Sequence, residues 1–66
     1  MEILLNGEPR QFATPLSVLQ LLHLEALAER RVAVEVNGEI VPRSRHGERC
    51  LAEGDRIEIV HALGGG

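Results

Sequence analysis

Two Asn-Gly dipeptides, Asn6-Gly7 and Asn37-Gly38, each close a short apolar run and restrict this chain more than any other feature of its 66 residues. Both central positions of a two-residue hairpin turn need positive φ, which glycine adopts freely and asparagine tolerates, so Asn-Gly is strongly favoured there. Ile3-Leu4-Leu5 before the first dipeptide and Val32 to Val36 before the second therefore read as strands that reverse at once. In the second run Val32, Val34 and Val36 alternate with Ala33 and Glu35, the period of a half-buried strand. The returning arms are short. Pro9 to Ala13 suits an edge or a strand start because proline lacks a backbone donor, and Ile40-Val41 is stopped by Pro42.

Between the hairpins, Thr14-Pro15 supplies a capping hydroxyl and a proline at the first helical position. The helix that follows gathers Leu16, Leu19 and Leu22, with Val18 and Leu21 beside them, on one broad apolar face, and its end is expected between His23 and Ala28. Arg43 to Glu53 shows little periodicity and reads as a solvated loop of mixed charge. Cys50, Leu51 and Ala52 are expected to pin it to the core, with Cys50 buried as a small hydrophobe. Glu53-Gly54-Asp55 is a turn. Arg56 to His61 is the most regular strand, with Ile57 and Ile59 inward and Arg56, Glu58 and Val60 outward. Its regularity suits a central position beside and parallel to the first strand. The expectation is an α+β domain, a mixed four- to five-stranded sheet with one main helix packed across it, which is the ubiquitin-like β-grasp arrangement. Residues 1–63 would form the domain and 64–66 a flexible tail.

Composition limits what such a domain can do. Leu, Ile, Val and Phe make up 21 of 66 residues, well above the roughly 20% below which charged chains stay disordered. One thin core follows, since a chain of this size buries only ~60% of its unfolded surface. Cys50 is the single cysteine, so neither an intrachain disulfide nor a cysteine-based zinc site is available to staple it. His23, His46 and His61 are too far apart for a local metal motif. A lone reduced thiol fits the cytoplasm, and the acidic opening Met1-Glu2-Ile3 does not resemble a secretory signal. No apolar run exceeds three residues, which argues against a membrane partner or span. The net charge of −3, with Arg43, Arg45 and Arg49 interrupted by Glu48 and Glu53, argues against nucleic acid. All seven basic residues are arginine, which genome base composition explains. Ser17 and Ser44 have helix and loop contexts that account for them, and no glycine-rich loop precedes a helix. Catalysis by the domain itself is not expected.

The remaining anomaly is Gly64-Gly65-Gly66. Glycine has no side chain and admits nearly all backbone conformations, so one reading is that this segment threads through a narrow tunnel and presents its carboxylate inside another protein. The plainer reading is a frayed terminus.

The stretch Val36-Asn37-Gly38-Glu39-Ile40-Val41-Pro42-Arg43-Ser44, then Gly54 to Val60, then His61-Ala62-Leu63-Gly64-Gly65-Gly66, resembles the ThiS family of sulfur carriers in thiamine biosynthesis. Met1 to Gly7 fits as well, so the likeness spans essentially the whole chain. Its more specific part is Val-Asn-Gly-Glu-Ile-Val-Pro, because a terminal Gly-Gly is shared by all ubiquitin-like carriers. The resemblance implies that an E1-like adenylyltransferase of the ThiF type adenylates the Gly66 carboxylate with ATP and magnesium. Sulfur drawn from cysteine through a desulfurase persulfide then displaces AMP, leaving a thiocarboxylate that thiazole synthase of the ThiG type consumes. It also implies that Gly64 and Gly65 give the tail its slim reach and that Ala62 and Leu63 are the first side chains to seat it. The domain would bind no cofactor of its own. Carriers for molybdopterin synthesis or tRNA thiolation, and ubiquitin-like protein modifiers, share the fold and tail and differ in the acceptor. The alternation of the first and last strands, taken as neighbours, adds one expectation, an apolar docking patch formed by Leu4 and Val60 at the root of the tail.

Overall fold

The computed structural model describes residues 1–61. Five strands, β1 (Glu2–Leu5), β2 (Glu8–Gln11), β3 (Val32–Val36), β4 (Glu39–Val41) and β5 (Arg56–His61), form one sheet in the order β2-β1-β5-β3-β4. β1 and β5 run parallel at its centre and the other neighbours are antiparallel. One helix, α1 (Val18–Leu24), covers one face. No helix among the described residues is long and apolar enough to cross a membrane.

Both Asn-Gly pairs turn the chain in two residues, with φ of 50° and 83° at Asn6 and Gly7 and 53° and 86° at Asn37 and Gly38. Leu5 then faces Glu8, and Val36 faces Glu39, with no residue to spare. The period-2 pattern fixes which side chains enter the core: Ile3 and Leu5 from β1, Val34 and Val36 from β3, Val41 from β4, and Ile57 and Ile59 from β5. They meet Val18, Leu21 and Leu22 of the helix, spaced i, i+3, i+4 on a single stripe, with Leu51 closing the cluster. The half-buried Phe12 and Leu27 pack at its margin. Arg10 of β2 points to the same side and grips Glu25 just past the helix with two hydrogen bonds, 3.1 and 2.6 Å, while its guanidinium lies over the Phe12 ring. The carboxylate raises the already high pKa of Arg10, first through the hydrogen bond and then through charge.

The helix begins three residues later than Thr14-Pro15 suggests. Ser17 is the N-cap: its hydroxyl accepts from the Gln20 amide, and the Gln20 side chain accepts from the Ser17 amide. Residues before it cannot be helical, because Leu16 O accepts from Leu51 N and Ser17 bridges Cys50 in extended form. Carbonyls from the long loop satisfy the next two free helix donors, Arg49 O for Val18 N and His46 O for Leu19 N, each at 2.9 Å. The helix therefore starts where the loop can cap it. Leu19, expected on the buried stripe, lies off the face formed by Val18, Leu21 and Leu22 and is turned partly to solvent.

At the other end Leu27 N donates to Leu22 O and Ala26 N to His23 O, the double bond of a Schellman stop, with Ala26 in the left-handed region at φ 61°. The loop after β4 opens with a 3-10 turn, Arg43–Arg45. Only Leu51 of its three expected plugs is buried, whereas Cys50 and Ala52 are exposed. The anchor is His46, 5% exposed, whose Nε2 donates to Val41 O at 3.0 Å. A ring that bonds β4 while its own carbonyl caps α1 does the work expected of Cys50 and Ala52, and frees them to face outward.

Candidate functional site

Ala62, Leu63, Gly64, Gly65 and Gly66 lie outside the described residues, so the described part of the site is the strand that leads to them and the face around it. β5 is an interior strand of the sheet. Ile57 and Ile59 are buried in the core, and both flanks of the strand are paired, β1 on one side and β3 on the other. The pairing with β1 stops at Leu5 opposite Ile57. The Asn6 side chain continues it, its Oδ1 accepting from Ile59 N at 2.9 Å while Asn6 N donates to Ile57 O. On the β3 side, Asn37 Oδ1 accepts from Arg56 N at 2.9 Å, Asn37 N donates to Arg56 O, and Asn37 Nδ2 reaches Asp55 Oδ1. Each turn asparagine thus bends its own hairpin and braces β5. The dipeptides signal the turns; the second role could be suspected only from asparagine being chosen over glycine, since only asparagine brings a side-chain acceptor.

The outer face of the sheet has no covering helix. It carries Val60 at 58% exposure and Ile40 at 71%. Leu4 and Val60 both point outward as expected, but the register parts them. Leu4 lies opposite Arg56, whereas Val60 lies opposite Ala33. β1 ends at Leu5 and never reaches the level of Val60. The apolar neighbour of Val60 is therefore on the other flank, Ala33 directly across, with Ile40 beyond it on β4, diagonal to Ala33 and opposite Glu35. Between the two levels sit Glu35 and Glu58, opposite one another on the same face.

The ThiS family model matches residues 3–66. Among curated proteins, a thiazole synthase of Paramagnetospirillum magneticum is 42% identical over all 66 residues, and the chain spans 20% of that protein's length. The sulfur carrier protein ThiS of Bacillus subtilis is 40% identical over 63 residues, covering 94% of this chain and 96% of the relative. The crystal structure of a thiamine biosynthesis protein (ThiS) from Geobacter metallireducens superposes with a TM-score of 0.87 at 32% identity, with both chains fully covered.

Proposed function

The chain belongs to the ThiS family of sulfur carriers of thiamine biosynthesis, and on that premise we propose that it carries sulfur as a thiocarboxylate on Gly66. The observation that carries this reading is the build of β5. A strand locked by two buried isoleucines and two asparagine side chains leads straight into residues 62–66, a firm base for a segment whose work is done inside other proteins.

In the first step the Gly66 carboxylate oxygen attacks the α-phosphorus of ATP on the ThiF-type enzyme, expelling pyrophosphate and forming an acyl adenylate. Magnesium and ATP belong to that partner's site. A cysteine persulfide then attacks the carbonyl carbon and AMP leaves, and a second thiol cleaves the sulfur–sulfur bond to release the thiocarboxylate. Thiazole synthase takes the sulfur and the carboxylate is regenerated. Similarity over the whole chain to one fifth of a protein named thiazole synthase supports that enzyme as the acceptor. Gly64 and Gly65 admit the tail to a narrow channel, Ala62 and Leu63 seat it, and Val60 with Ala33 and Ile40 forms the apolar surface that meets the partner at the tail's root.

Intact mass after incubation with ATP, the adenylyltransferase and a persulfide donor tests the proposal. The expected result is a gain equal to exchanging one oxygen for one sulfur, mapped to Gly66 and absent when Gly65 and Gly66 are deleted. A competent enzyme that leaves the mass unchanged would overturn it.

A further inference from the structure

Glu35 and Glu58 occupy directly opposed positions on β3 and β5, on the uncovered face of the sheet. Like charges so placed destabilise a sheet by about 0.2–1 kcal/mol. Among the described residues neither carboxylate has an ion pair or hydrogen bond to relieve it. Arg56, two residues before Glu58 on the same face, bonds neither of them. Around the pair stand Val60, Ala33 and the exposed Ile40. Acidic charge with no bonded partner among the described residues, set within exposed aliphatics, is the pattern of a surface completed by another molecule.

Resting on the carrier reading, we propose that Glu35 and Glu58 are the charged determinant by which this face docks on the adenylating enzyme, opposite cationic side chains of that enzyme. Reach together with the chemistry at Gly66 selects this occupant. Five residues follow His61, and a fully extended chain covers at most about 3.3–3.6 Å per residue, so Gly66 reacts within about 17 Å of the end of β5. The enzyme must hold the triphosphate of ATP at that point, which demands cationic groups there. The outer face therefore approaches its partner on the side that carries these cationic groups, whose field steers an acidic surface toward it. A second copy of the chain is a poor occupant, because two such faces brought together oppose four carboxylates.

The test is the association rate of the purified adenylyltransferase with the full chain, wild type and Glu35→Gln/Glu58→Gln, measured without ATP across a salt series. The double variant is expected to associate about tenfold more slowly at low salt, to converge with wild type at high salt, and to melt at an equal or higher temperature. An unchanged rate and salt dependence would sink the proposal. So would a loss confined to thiazole synthase binding, or a lowered melting temperature, which would make the pair structural. Binding is read here without turnover, so a docked complex that yields no change in mass counts against the carrier reading alone.

Discussion

Asn6 shows how much one side chain does in a 66-residue protein. Its backbone sits at φ 50° and its Oδ1 holds the Ile59 amide beyond the reach of β1. The two roles separate by substitution. Asn6→Asp keeps both the tolerance of positive φ and the acceptor, and is expected to leave stability within about 0.5 kcal/mol. Asn6→Gly keeps the turn and deletes the acceptor, with an expected loss of about 1–2 kcal/mol in urea unfolding. Equal stability of the two variants would mean that the brace on β5 contributes nothing. The turn was legible in the Asn-Gly dipeptide because the φ requirement is local. The brace joins residues 53 apart in sequence, and nothing local signals which distant amide an acceptor will meet.

At the scale of elements, the same division between local and distant causes explains what the sequence disclosed. Strand existence, both hairpins, the inward set of β3 and β5 and the central parallel strand follow from periodicity and turn chemistry, and the structure has all of them. The start of α1 does not, because two helix beginnings compete. Thr14-Pro15 has good local capping chemistry, but only Ser17 stands where the loop offers the Arg49 and His46 carbonyls to the first helix amides. The long loop hid its anchor for a related reason. A histidine among charged residues reads as solvated, and only the fold shows its ring bonded to Val41 O. His46→Ala removes that bond and a buried ring together, so it is expected to cost about 2 kcal/mol. Hydrogen exchange should show where: the Val18 and Leu19 amides, capped by this loop, are expected to lose protection before those of β5. Uniform loss across the protein would show that the loop and sheet open as one unit.

For the molecule as a whole, the decisive asymmetry lies between the two faces of the sheet. One is filled by α1 and Leu51; the other leaves Val60, Ala33, Ile40 and the Glu35–Glu58 pair to solvent. Alternation along β5 disclosed that Val60 faces outward, but its neighbour depended on strand order and register, which is why Ala33 rather than Leu4 stands across from it. Under the proposed docking, stability and partner binding draw on opposite faces of the same strand, and adjacent residues should separate them. Ile59→Ala cuts into the core and is expected to cost about 2–5 kcal/mol. Val60→Asp leaves the core intact and is expected to cost no more than about 1 kcal/mol, the spread of strand preferences at exposed positions. It nevertheless sets a charge in the apolar surface beside the tail, where desolvation on docking is costly, and is expected to weaken adenylyltransferase binding at least tenfold. Calorimetric titration alongside thermal melting reads both quantities for each variant. If Val60→Asp binds as wild type does while remaining folded, the partner does not use this face.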